Sequence, residues 1–196
     1  MQRTVRGLAD AGAACLMLED QESPKRDFGA PGAVVARDEA LRRVKAAVRA
    51  REAGADILII GRTDARNAAG GASGLDETLW RIAAFTSLGV DVIFATGVHA
   101  RDELRRVRAT SPLPQMIQVD VPGGPTLVPA DVHGQGFEVA LYGVTFVFAA
   151  AGAFRDAIDD MKAGRQVPAA RAISPAELSE IVGVPDYLAV DRDLER

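Results

Sequence analysis

Leu18-Glu19-Asp20-Gln21-Glu22-Ser23-Pro24-Lys25-Arg26 is the stretch on which the reading of the chain turns. The apolar run that leads into it, residues 15–18, has the character of a buried strand. It stops at two adjacent carboxylates. A proline and three charged residues, Lys25, Arg26 and Asp27, then follow on a loop. In parallel α/β proteins the carboxyl ends of strands are where ligands and reacting groups are placed. Glu19 in that place can hold a hard cation, directly or through water, and Lys25 can meet an anionic substrate.

Outward from this stretch, strand-like and helix-like segments alternate. Residues 38–52 read as a helix with Leu41, Val44, Ala47 and Val48 on one face, Asp38 as its N-cap and Gly54 as its stop. Strands are expected at 56–60, 91–95, 115–119 and 137–142, and helices at 75–88, 100–109 and 149–162. Strands spaced by helices make right-handed βα units and a parallel sheet. With 15–18 the count is five strands. A closed (β/α)8 TIM-type barrel has eight strands and usually about 250 residues. The expectation is therefore a single α/β domain over 1–196, a partial barrel of about five βα units, with 174–196 as a C-terminal helical segment. Such a sheet has two unpaired parallel edges and one exposed core face.

Composition narrows the function classes. An apolar fraction of 48% is enough for a real core and argues against disorder. With 23 basic against 27 acidic residues the net charge is −4, so there is no basic field for nucleic acid. The arginines between 101 and 108, mixed with Asp102 and Glu103, read as a solvated helix face. No apolar run approaches the roughly 20 residues that span a bilayer, and residues 1–6 lack the apolar region of a signal peptide. The single Cys15 excludes an intrachain disulfide and, inside an apolar run, reads as a buried thiol. A cytoplasmic protein without nucleic-acid or membrane partners is expected.

The chain resembles the isocitrate lyase / phosphoenolpyruvate mutase superfamily, whose strand ending in Glu-Asp-Gln or Glu-Asp-Lys leads through Pro-Lys into an active-site loop. Ile57-Leu58-Ile59-Ile60-Gly61-Arg62-Thr63-Asp64-Ala65 is similar to the family's strand ending in Ala-Arg-Thr-Asp-Ala. Gly74-Leu75-Asp76-Glu77 and Gly89-Val90-Asp91-Val92-Ile93-Phe94 match its next helix start and strand, and Glu177-Leu178 and Val182-Gly183 its C-terminal segment. The resemblance makes these strands the fourth to the eighth of a barrel, with residues 4–12 as the helix after the third. Roughly three βα units are then missing. The chain is expected to be a piece of a longer one, a shortened gene product, or a protomer completed by a partner chain, the first two being favoured.

The resemblance implies Mg²⁺-assisted making or breaking of a C–C or P–C bond beside a 2-oxo acid, through an enolate. Glu19 matches a metal position, while the family's Asp-x-Asp-Thr-Gly motif, the source of most other carboxylates, is absent. Arg62 matches the substrate-binding arginine; a guanidinium there can fork onto a substrate carboxylate, or pair with Asp64 or Glu19 instead. Lys25 matches the loop lysine of Pro-Lys-Arg-Cys-Gly-His. Asp27 stands where the C–C lyases have their catalytic Cys, and Gly29 where they have His. Thr96 replaces a glutamate and Gln118 an asparagine that keeps the amide. Gly123 and Gly124 are similar to a loop that lets backbone approach an anion, or form a plain turn. Asp20 reads as structural. Gly70-Gly71-Ala72-Ser73-Gly74 reads as a linker or lid segment, His99 as opening a helix and His133 as lying in a loop. HExxH, GxSxG, Walker A and CxxC motifs do not occur.

Two functions follow. One is a Mg²⁺-dependent lyase-type enzyme on a small carboxylate substrate. Lys25 and Asp27 are its catalytic pair, Arg62, Gln118, Gly123 and Gly124 bind substrate, and Glu19 meets the metal. The altered loop favours a divergent substrate, or decarboxylase- or hydrolase-like chemistry, over methylisocitrate cleavage. The other is a catalytically silent homologue serving as scaffold or oligomer partner. Family members are commonly tetramers that exchange C-terminal helices, so the resemblance implies a dimer or tetramer with 174–188 as the exchanging segment.

Overall fold

Alternating apolar strands and amphipathic helices build a parallel sheet in the structure, a computed structural model that describes residues 1–24, 32–69, 73–119 and 128–194. The order is α1 (Gln2–Asp10), β1 (Cys15–Glu19), α2 (Arg37–Glu52), β2 (Leu58–Thr63), α3 (Leu75–Ser87), β3 (Val92–Ala95), α4 (Arg101–Thr110), β4 (Gln115–Gln118), α5 (Pro129–Gly134), β5 (Val139–Leu141), α6 (Thr145–Lys162), α7 (Pro175–Ile181) and α8 (Val184–Leu194). The sheet runs β1-β2-β3-β4-β5, each neighbour parallel. Sequential order without reversal is barrel-like winding, because each right-handed crossover returns a helix to the same face. Two compact units divide the chain, Met1–Gly143 and Val144–Arg196.

In the first unit the core lies between the sheet and its helices. Ile59, Ile93 and Ile117 point to that side and are buried among Val44, Val48, Ile82, Phe85, Leu104 and Val107. Gly61 permits a close approach of α3 to β2, since a Cβ there would lie 3.3 Å from carbons of Phe85 and Val90. The opposite face carries Met17, Ile60, Val92, Phe94 and Met116 in the alternate register positions. Exposure on this open face is uneven: Leu58 is 52% exposed, whereas Ile60 and Phe94 are buried.

Several expectations need correction. Cys15 is exposed rather than buried. It opens β1, which pairs on one side only among the described residues. The N-cap of α2 is Ala36, so Asp38 sits with Glu39 in the first turn, where carboxylates meet the positive end of the helix dipole. β2 runs to Thr63 because Gly61 and Arg62 continue the ladder to both neighbours and Thr63 continues it to β3. His133 lies within α5, a short helix opened by Pro129 and unforeseen in the periodicity. Gly54 and Gly89 do end their helices, at φ of 101° and 84°.

In the second unit, Ser174 and Glu177 form a capping box at α7, with the Glu177 N–H on Ser174 Oγ at 3.1 Å. Asp160 on α6 is held by Arg165 at 2.8 Å and by Arg171. Among the described residues no helix is long and apolar enough to cross a membrane.

Candidate functional site

The register of β1 and β2 sets Glu19 opposite Arg62 at the carboxyl ends of the strands, on the open face. A Glu19 oxygen lies 3.2 Å from Arg62 Nη1. Arg62 also forks onto Asp64, with Nε donating to Oδ2 at 2.9 Å and Nη2 to Oδ1 at 2.8 Å. Its guanidinium carbon stands 5.4 Å from the centre of the Phe94 ring on β3, and Nη1 lies 3.9 Å from the Met17 sulfur. Burial would lower the Arg62 pKa. The hydrogen bonds and charge of Asp64, with the charges of Glu19 and Asp20, outweigh it and raise the pKa further. Arg62 is thus a fixed cation in a half-buried apolar and acidic setting. Both partners that the sequence offered it, Asp64 and Glu19, hold it at once.

Asp64 is itself fixed from three sides. Thr96 Oγ1, at the end of β3, donates to Asp64 Oδ1 at 2.8 Å. The Asp64 N–H donates to Asp20 Oδ1 at 2.9 Å. Asp20 is buried, and its other oxygen accepts from Arg81 Nη1 at 3.1 Å. Burial raises the Asp20 pKa, against the opposing pull of the Asp64 amide, Thr63 and Arg81. The structural reading of Asp20 agrees with this placement.

Arg81 had no signal as a functional residue in the sequence. It sits on α3 with Glu77 one turn earlier, and Nε donates to Glu77 Oε1 at 2.8 Å. Glu77 also takes Arg37, whose Nη2 donates at 2.6 Å and whose guanidinium lies 4.0 Å over the Trp80 ring. Burial pushes the Glu77 pKa up, but the two arginines outweigh it and hold the group below its usual range. An i, i+4 Glu–Arg pair normally marks a solvated face, which conceals its burial here.

Gln118 ends β4 on the same face, two strands from Arg62 and two residues beyond its register position, so roughly 12 Å away. His99 precedes α4 and is half-buried; burial lowers its pKa, opposed by Glu103. Nearby, Arg66 pairs with Glu103 at 2.7 Å. Lys25, Asp27, Gly123 and Gly124 lie outside the described residues. A cavity of about 470 Å³, lined by Val132, His133, Phe137 and Glu138 among others, adjoins the amino end of β5, opposite to the strand ends that hold Arg62. Among the described residues no three His, Cys, Asp or Glu side chains are grouped to hold a metal ion. Glu19 and Asp64 face a guanidinium and Asp20 is buried against Arg81, so the described carboxylates do not fit a Mg²⁺ site.

A family model described as phosphoenolpyruvate phosphomutase matches residues 1–162. The chain is 33% identical over 162 residues to the 2,3-dimethylmalate lyase of Eubacterium barkeri, covering 80% of this chain and 53% of that protein. It thus spans about half the length of that relative. Among solved structures, an oxaloacetate acetylhydrolase in complex with 3,3-difluorooxalacetate overlays 99% of this chain and 65% of its own, with a TM-score of 0.83 and 28% identity. A phosphonopyruvate hydrolase complexed with oxalate and Mg²⁺ overlays 100% of this chain and 68% of its own, with a TM-score of 0.75 and 26% identity. These likenesses make the parallel sheet a part of a (β/α)8-type barrel.

Proposed function

This chain belongs to the phosphoenolpyruvate phosphomutase family, of the isocitrate lyase / phosphoenolpyruvate mutase superfamily, and we propose that it acts as a lyase-type enzyme on a small 2-oxo or 2-hydroxy carboxylate. The reaction is cleavage or formation of a C–C or P–C bond through an enolate. The observation that carries this reading is the Arg62 guanidinium, fixed by Glu19 and Asp64 at the carboxyl end of β2.

When a bond beside a 2-oxo group breaks, its electron pair enters the carbonyl and charge gathers on the oxygen. Donors already aimed at that oxygen and at the neighbouring carboxylate lower the barrier. Arg62 supplies the carboxylate fork, and the Gln118 amide is assigned to the oxo group. Lys25 and Asp27 are assigned to the reacting carbon and its proton, and Gly123 and Gly124 to backbone contacts with the anion, on the family pattern alone. A carboxyl group with a pKa near 4 is ionised at neutral pH and is a weak proton donor there. Asp27 in place of a thiol therefore points to decarboxylase- or hydrolase-like chemistry rather than methylisocitrate cleavage. Mg²⁺ belongs to the proposal through Glu19, but the described carboxylates do not make its site, so no step is routed through it. The reading is completed by a cytoplasmic location and by a dimer or tetramer joined through residues 174–188.

A second reading, the catalytically silent homologue, has its own support: the Arg62 guanidinium is met on both sides by the chain's own carboxylates. Calorimetric titration with oxalate, with and without Mg²⁺, separates the two. Saturable oxalate binding that is lost in Arg62→Met supports the enzyme, whether or not Mg²⁺ is present. Wild-type protein that takes up neither oxalate nor Mg²⁺ leaves the silent homologue.

A further inference from the structure

Arg81 is fully buried, yet the chemistry assigned to the site makes no use of it. We infer that Arg81 is a positioning residue for Arg62, acting through Asp20 and the backbone of Asp64; this rests on the reading of Arg62 as the anion holder.

The three branches of its guanidinium reach three elements. Nε meets Glu77 on α3, Nη1 meets Asp20 just beyond β1, and Nη2 donates to the Val35 carbonyl ahead of α2 at 2.8 Å. The Val35 N–H in turn donates to the Asp20 carbonyl at 2.9 Å, so Asp20 is pinned by main chain and side chain together. The two Asp20 oxygens divide their work. One takes Arg81 and the other takes the Asp64 N–H. That amide sets where the Asp64 carboxylate stands, and the carboxylate sets the Arg62 fork. A buried carboxylate keeps its charge only beside a cation or a set of donors. Without Arg81, Asp20 takes up a proton or turns toward water, and the Asp64 amide loses its acceptor. Purely structural glue would also bind α3 to the sheet, but its loss would loosen the whole unit without singling out Asp64.

The test uses the full chain and three variants, Arg81→Met, Arg81→Lys and the double Asp20→Asn/Arg81→Met. Amide exchange is read by NMR at Asp64 and at Ile117 on β4, and oxalate affinity by calorimetry on the same samples. Arg81→Met should speed exchange at Asp64 about tenfold or more while leaving Ile117 unchanged, and weaken oxalate about tenfold. The double variant removes the stranded charge but keeps an Oδ1 acceptor, and should restore both readouts to within about threefold of wild type. If Arg81→Met does not fold, the other two variants decide. Arg81→Lys keeps the charge without the fork and should show the same local change in smaller measure. Equal acceleration at both amides, an unchanged Asp64 amide, or no rescue in the double variant overturns the inference. Failure of wild-type protein to bind oxalate overturns the reading of Arg62 instead, and the exchange rates still decide the role of Arg81.

Discussion

Glu19 and Arg62 are register partners across β1 and β2, and their charged ends meet at 3.2 Å on the sheet face opposite Ile59 and Ile93. The pair joins two strands at the end where parallel sheets place their ligands. A guanidinium shared by two carboxylates is stiff and keyed to planar anions. An incoming carboxylate must displace or share one of them.

Arg62→Met should remove carboxylate binding, raising the oxalate Kd about 100-fold or more, the scale of a lost bidentate ion pair. Arg62→Lys keeps charge without the fork and should recover only part of it. Calorimetry measures both, and equal affinity in Arg62→Met and wild type would remove Arg62 from the site.

Thr96→Val deletes one donor to Asp64 at nearly constant volume. The expected cost is about 1 kcal/mol in anion affinity with little change in melting temperature. An unchanged Kd would mean that the Arg62 fork and the Asp20 contact with its amide fix Asp64 without Thr96.

Gly61→Ala forces a methyl group to within 3.3 Å of Phe85 and Val90. Overpacking should cost about 1–3 kcal/mol, seen as a lower denaturant midpoint with an unchanged slope. A variant as stable as wild type would show that α3 can move away from β2.

Glu77 links pH to stability. Its folded pKa is lowered, with burial opposed and outweighed by Arg37 and Arg81. The contribution is therefore fully present above the ordinary glutamate pKa of about 4.3. It is lost as the pH falls through the lower folded value. Asp20, with its pKa raised, has the opposite sign: its contribution is present below the ordinary aspartate value and lost as the pH rises through the folded one. Glu77→Gln should flatten the acid limb of the stability profile followed by thermal melts from pH 7 to pH 3. A limb as steep as that of wild type would assign acid unfolding to other carboxylates.

Much of the first unit was legible because its strands are short apolar runs and its helices have one apolar face. The carboxyl ends of β1 and β2 were legible for the same reason: Glu19 and Arg62 stand where an apolar run breaks into charge. Boundaries were harder. The apolar run 56–60 marks the strand without its end: Gly61 and Arg62 pair with both β1 and β3, and Thr63 with β3. Cys15 looks buried by its neighbours, although burial depends on what covers the face of β1. Arg81 was invisible because its partner Asp20 is 61 residues away, and no local pattern distinguishes it from a surface arginine. Lys25, Asp27, Gly123 and Gly124 rest on the family pattern.

Trp80 is the only tryptophan of the chain, and the Arg37 guanidinium lies 4.0 Å above its ring. Arg37 is in turn tied to Glu77, and Glu77 to Arg81. The indole emission is therefore a built-in optical gauge at the outer end of the ionic chain that leads inward to Asp20. A label-free fluorescence trace can follow that corner of the molecule while calorimetry follows the anion.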